Sequence, residues 1–164
     1  MIYISLGTNI GNKARNLTVA IKSINKQIGT VVSQSAFIST EPWGFESTNT
    51  FLNACVEVDS SLAPEEVLRR CQRIERMMGR HQKSTIEIMP DGTKKAVYHD
   101  RIIDIDILVY DDFIINTPQL TIPHPLMHCR RFVLEPLAQI ASSLKIPGTS
   151  MSVGEMLNAL EARS

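Results

Sequence analysis

Apolar and polar positions alternate from the first residues: Ile2, Ile4 and Leu6 against Tyr3 and Ser5, a strand that Gly7-Thr8-Asn9 ends. Leu17, Ala20, Ile21, Ile24 and Ile28 then recur at helical spacing, with Gly29 as the stop. Thr30 to Ser39 is rich in β-branched residues and poor in charge, and reads as a second strand. The stretch from Thr40 to Thr50, with Pro42, Gly44 and several Ser, Thr and Asn residues, reads as a loop, and Phe51 to Asp59 as a third strand. Pro64-Glu65-Glu66 opens a second helix with the residues favoured in a first turn. Val67, Cys71, Ile74 and Met78 form its apolar stripe, and Gly79 ends it. Ile86–Met89 and Lys94–Tyr98 flank the turn signal Pro90-Asp91-Gly92 and predict a hairpin. Ile102 to Tyr110 is the strongest strand, nearly continuous Ile, Leu and Val broken by two aspartates, followed by a short strand from Phe113 to Ile115. Arg131 to Ile140 is helical, kinked or shortened by Pro136. Ser152-Val153-Gly154-Glu155 opens the last amphipathic helix with a capping-box pattern. The order βαββαβ with helical additions predicts an α+β fold: a ferredoxin-like sandwich, mostly antiparallel, with helices on one face and residues 1–164 as a single domain.

The chain has 164 residues, 43% apolar and 21% charged, which fits a globular protein with a sizeable core. Its formal net charge of zero argues against a broad grip on nucleic acid or an acidic membrane. Cys55, Cys71 and Cys129 are odd in number, far apart and set among apolar residues, so each reads as a buried thiol rather than part of a disulfide or zinc framework. No apolar run approaches a membrane span, and the first strand meets its turn too early for a signal peptide, so the expected location is the cytoplasm.

The chemistry centres on Arg101-Ile102-Ile103-Asp104-Ile105-Asp106-Ile107. Side chains two apart on a strand share a face. Asp104 and Asp106 are therefore neighbours, while Ile103, Ile105 and Ile107 line the other side. Two such carboxylates repel one another and resist desolvation, and a divalent cation relieves both. Oxygen-only ligands suit magnesium, which shares its remaining positions with water and substrate phosphates. The ordinary explanation, a solvent-facing pair on an open sheet, weighs equally on the pair alone. Arg80, Arg101, Arg130 and Arg131 are of the type that clamps phosphate oxygens, although any single one is more simply a surface residue. Leu68, Gln72 and Glu75 form one stripe of the second helix, suited to a nucleotide or to an ordinary polar flank. His124 and His128 are four apart, but Pro125 stands between them and no zinc-protease glutamate follows, so a histidine near phosphates is the better reading.

With these motifs the chain resembles the 6-hydroxymethyl-7,8-dihydropterin pyrophosphokinases of the folate pathway. The resemblance runs through Gly7-Thr8-Asn9, Phe51-Leu52-Asn53-Ala54, Gln72-Arg73-Ile74-Glu75 and Gly79-Arg80. It continues through the aspartate motif to Pro123-His124-Pro125 and Arg130-Arg131-Phe132-Val133-Leu134. It implies transfer of the terminal pyrophosphoryl group of ATP to the pterin hydroxymethyl oxygen, leaving AMP. By resemblance Asp104 and Asp106 hold two Mg2+ ions, and Arg80 and Arg101 clamp phosphates. Leu68, Gln72, Glu75, Ile107, Thr121 and His124 match nucleotide-contacting positions. Thr40, Pro42, Trp43, Asn53 and Phe132 fall in pterin-binding regions, with Phe51 and Arg130 as weaker candidates. The stretch between Arg80 and Arg101 is longer than the family pattern and lacks its further arginine and tryptophan; Lys83 and Tyr98 are expected to stand in for them. This longer stretch also reads as a lid over the phosphates. The implied partners are the small molecules ATP and hydroxymethyldihydropterin, with no nucleic acid, membrane or obligate protein partner. Two other readings fit the residues: a different two-metal transferase on the same kind of sheet, and a binding module without catalysis.

Overall fold

The computed structural model describes the chain apart from residues 41–49, 80–83, 89, 92–93, 99–101 and 164, and gives the strands within 84–88 and 94–98 as backbone. Its centre is a five-stranded antiparallel sheet. Strand β1 (Ile2–Thr8) lies between β4 (Phe51–Asp59) and β7 (Asp104–Tyr110), and β2 (Thr30–Gln34) and β3 (Ile38–Thr40) both pair with the far side of β4. This is the strand order of a ferredoxin-like sandwich. Helices α1 (Lys13–Gln27) and α2 (Pro64–Met77) cover one face. There Ile2, Ile4, Leu6, Ala54, Val56, Val58, Ile103, Ile105 and Ile107 pack on Leu17, Ile24, Val67 and Ile74.

Helices are not confined to that face. Helix α3 (Arg131–Ala141) and helix α4 (Val153–Ala162) cover part of the other, where Tyr3, Cys55, Leu108 and Val109 meet Val133, Leu134, Leu137, Val153 and Met156. Strand β1 is therefore buried along its whole length, Tyr3 and Ser5 included, although its sequence alternates. A β-bulge assists: the register between β1 and β7 shifts at Tyr3/Ile4, leaving Leu108 as the extra residue. Leu108 and Val109 then both turn toward α3 and α4. Beneath these helices the Tyr3 hydroxyl donates to Glu57 Oε2 at 2.5 Å, and burial, with the Glu57 carboxylate beside it, pushes the tyrosine above its ordinary range.

Several elements differ in detail from the sequence reading. Strand β1 runs through Gly7 to Thr8 rather than ending before them. Helix α1 begins at Lys13, earlier than its apolar stripe, because Asn12 caps it by accepting the Arg15 N–H. Gly29 is needed for a close approach rather than for its conformation, since a Cβ there would lie 2.2 Å from the Asp59 carbonyl oxygen. The second strand is split at residues 35–37. Ser35 continues the ladder by donating its N–H to the Cys55 carbonyl, while its Oγ accepts the Cys55 N–H, both at 2.9 Å. Strands β5 (Ser84–Ile88) and β6 (Lys94–Tyr98) form the expected hairpin as a separate two-stranded sheet. A further pair, β8 (Ile115–Asn116) with β9 (Thr121–Ile122), gave too short a pattern for β9 to be read in advance. Helix α3 passes through the buried Pro136. The capping box of α4 is present as expected, with Glu155 N–H to Ser152 Oγ at 3.2 Å and Ser152 N–H to Glu155 Oε1 at 3.0 Å. All three cysteines are free, but Cys129 is exposed rather than buried, with its thiol directed to the Leu126 carbonyl. Burial raises the Cys55 thiol far above its ordinary range and keeps it inert. Among the described residues no helix is long and apolar enough to cross a membrane.

Candidate active site

The C-terminal helices leave one end of the second sheet face uncovered, and the polar residues of three strands collect there. Gly7 of β1 pairs with Asn53 of β4 on one side and with Asp104 of β7 on the other; one step along, Ser5 pairs with Cys55 and Asp106. The alternation in β7 separates its two sides as expected. Ile103, Ile105 and Ile107 are buried in the core, and Asp104 and Asp106 are half-buried on the open side.

Gly7 is the residue that sequence reasoning missed here, taken for a strand end. A Cβ at Gly7 would lie 2.9 Å from Asn53 Oδ1 and 3.5 Å from Cδ1 of Phe51, so the absent side chain lets the Asn53 amide and the Phe51 ring lie close over β1. The available signal was a glycine within a strand pattern, which often marks close approach. Asn53 is 2% exposed, and its amide nitrogen donates to Thr40 Oγ1 at 2.6 Å, which fixes the side-chain plane. Thr40 pairs with Phe51, so Thr40, Phe51, Asn53, Gly7 and the two aspartates form one continuous surface.

On the far side of β7, the His124 N–H donates to the Leu108 carbonyl at 2.9 Å. The His124 Nδ1 accepts the Leu126 N–H at 3.2 Å. A histidine that accepts at Nδ1 in its neutral form carries its proton on Nε2. Thr121 lies nearby on β9, half-buried and paired with Asn116. Ile107 has its side chain in the core, so any ligand contact from it runs through its backbone. On α2, Gln72 is exposed and Leu68 packs at the edge of the core. Glu75 is 5% exposed, and its Oε2 accepts the Ile105 N–H at 2.8 Å. Phe132 stands half-buried in the first turn of α3, its ring centroid 5.6 Å from the Arg130 guanidinium carbon.

Pro42, Trp43, Arg80, Lys83 and Arg101 lie outside the described residues, and Tyr98 is placed only as backbone in β6, opposite Ser84. Among the described residues no cluster of three His, Cys, Asp or Glu forms a self-contained metal cage. Two carboxylates side by side on a strand could hold a hard cation that takes its other ligands from water and substrate phosphate.

A sequence model of the family described as 7,8-dihydro-6-hydroxymethylpterin-pyrophosphokinase (HPPK) matches residues 3–142. The chain belongs to this family. It is 42% identical over 142 residues to the Porphyromonas gingivalis 2-amino-4-hydroxy-6-hydroxymethyldihydropteridine pyrophosphokinase, covering 86% of this chain and 90% of that one. Its identity to the Bacillus subtilis protein of the same name is 37% over 149 residues, covering 90% and 82%. Among solved structures, the Plasmodium falciparum HPPK-DHPS with pteroate superposes with a TM-score of 0.77 at 16% identity, over 99% of this chain and 44% of that one. The HPPK family member described here thus spans less than half of those chains, and that likeness concerns the fold.

Proposed function

We propose that the chain, as one catalytic domain in the cytosol, transfers the terminal pyrophosphoryl group of ATP to the hydroxymethyl oxygen of 6-hydroxymethyl-7,8-dihydropterin, giving AMP and the pterin diphosphate for folate synthesis. The observation that carries this reading is the row Asn53–Gly7–Asp104 across three strands, in a chain whose family match covers residues 3–142. Adjacent strands lie about 4.8 Å apart, so Asn53 and Asp104 stand roughly 10 Å from one another. That is the span of a bicyclic heterocycle with a one-carbon arm. Held by Thr40, Asn53 recognises the flat ring's polar edge; Phe51 and Phe132 offer aromatic faces, and Gly7 leaves room beneath. The arm then reaches toward Asp104 and Asp106.

The two aspartates are the ligands for Mg2+, in the number of two that the family resemblance implies. When bound, the ions supply neutralisation of the triphosphate and alignment of attacking and leaving oxygens. The chain's own work is positioning and charge placement. Gln72, the Ile107 backbone, Thr121 and the Nε2–H of His124 face the nucleotide. Arg80 and Arg101 clamp its phosphates, and Lys83 and Tyr98 replace the family's further arginine and tryptophan. Pro42 and Trp43 complete the pterin pocket.

Product analysis with ATP, magnesium and the pterin tests the reaction. One AMP per pterin diphosphate is expected. Pyrophosphate release with a nucleotidylated acceptor would instead identify another two-metal transferase, and no turnover by folded protein would leave a binding module. Unchanged ATP KM and turnover in both Lys83→Ala and Tyr98→Ala would remove those two residues from the nucleotide site.

A further inference from the structure

Among the described residues strand β7, which carries both aspartates, is the outer strand of its sheet, with β1 on one side only. In an antiparallel edge strand the N–H groups of alternate residues face away from the partner. Ile105, the residue between Asp104 and Asp106, is one of these: its N–H donates to Glu75 of α2 at 2.8 Å. Burying a carboxylate is costly unless it accepts strong hydrogen bonds, and Glu75 is 5% exposed. Helix α2 therefore reaches over the free edge and grips the residue that joins the two open-face carboxylates. Like charges two residues apart on one face repel, and rotation about the intervening peptides is the motion that separates them. The hydrogen bond from Ile105 opposes that rotation on the side where the sheet has no further strand.

We infer that Glu75 is a positioning residue of the metal site: by holding the Ile105 N–H it sets the relative placement of the Asp104 and Asp106 carboxylates, and its effect on ATP is indirect. This rests on the assignment of the two aspartates as magnesium ligands, and it revises the expectation that Glu75 touches the nucleotide. Glutamine at position 75 retains an acceptor oxygen of the same reach; alanine and leucine do not.

The test uses the full chain as wild type, Glu75→Gln and Glu75→Ala, with Glu75→Leu taking the place of the alanine variant if that does not fold. In metal-free wild type the Ile105 amide is expected among the slowest to exchange with solvent in β7, and in Glu75→Ala it exchanges at least about tenfold faster while β1 and β4 are unchanged. Manganese affinity, measured calorimetrically with a nonhydrolysable ATP analogue, falls roughly tenfold or more in Glu75→Ala, as for loss of a group that orients metal ligands. Glutamine restores most of both. ATP KM at saturating magnesium stays near wild type in each variant. Rapid Ile105 exchange in the wild type, or metal affinity unaltered in Glu75→Ala, overturns the inference. A raised ATP KM in both variants with unaltered metal affinity also overturns it and returns Glu75 to the nucleotide. Wild-type turnover indifferent to magnesium removes the metal assignment itself, and this inference with it.

Discussion

The two sides of β7 are built to different ends. One side, Ile103, Ile105 and Ile107, is 0%, 2% and 5% exposed and fills the core under α2. The other, Asp104 and Asp106, is half-buried and faces Gly7 and Ser5 across β1. A period of two lets one strand anchor the fold and present charge, with each function isolated from the other by the sheet's own thickness. Strand β1 lacks that division: both of its sides are covered for most of its length, and only its Gly7 end reaches the site. The lesson is that the site sits where the second helical layer stops, and that its residues can change without touching the core.

The strongest challenge to this division is removal of a carboxylate. Asp104→Ala and Asp106→Ala should each lower turnover by on the order of 10³-fold, as for loss of a major electrostatic contributor, with little change in the unfolding midpoint. Near-normal rates in both would break the proposed mechanism. Ile105→Ala tests the opposite side: it should cost about 2–5 kcal/mol of stability, read by denaturant unfolding, while turnover per folded molecule remains close to wild type. A kinetic collapse in that variant without loss of stability would show that the two sides are not separable. Gly7→Ala is a smaller intrusion. Its methyl group meets Asn53 Oδ1, so the pterin KM should rise about tenfold, the factor given by about 1.4 kcal/mol of lost fit, with ATP KM preserved. The smallest effect belongs to the α4 cap, which holds no residue of the candidate site. The Ser152 hydrogen bonds hold Glu155 below the usual carboxylate range. A depressed carboxylate stabilises the fold above its unfolded pKa and ceases to do so as pH falls through its folded one. Wild type should thus lose its advantage over Glu155→Gln in melting temperature on acidification, and a difference that grows instead would contradict the cap.

Much of this organisation was legible in the sequence because it depends on local pattern. The alternation of Asp104, Ile105 and Asp106, the strand Phe51–Asp59 and the α4 capping box all follow from short-range rules. What escaped depended on contacts distant in the chain. Gly7 lies inside a strand, paired with Asn53 and Asp104, and is glycine because Asn53, 46 positions on, leaves no room for a side chain. Glu75 read as a nucleotide contact or an ordinary polar flank, and its hydrogen bond from the Ile105 N–H, 30 positions away, could not be seen from the helix pattern. The second helical layer escaped for the same reason: the alternation gave only a strand with two unlike sides, and Tyr3 is buried by contacts with α3 and α4 from far along the chain. Cys129 is flanked by His128 and Arg130, a polar setting that the reading of a buried thiol passed over, and it ends the turn Met127–Cys129 as an exposed residue while Met127 is buried.

The interruption at residues 35–37 bears on how copies of this protein meet one another. An unbroken outer strand would offer a row of backbone donors and acceptors to any passing chain, the first step toward uncontrolled sheet extension. Here Ser35 folds its hydroxyl back to Cys55, and the next donor, the Ala36 N–H, is taken at 2.8 Å by Gln139 from α3. The outer margin thus becomes two short pieces of five and three residues with a side chain parked between them. Because the helix that covers the second face also blocks the margin, loosening α3 would expose a sticky edge together with its hydrophobic underside, and crowding would punish such a variant by aggregation before its chemistry failed.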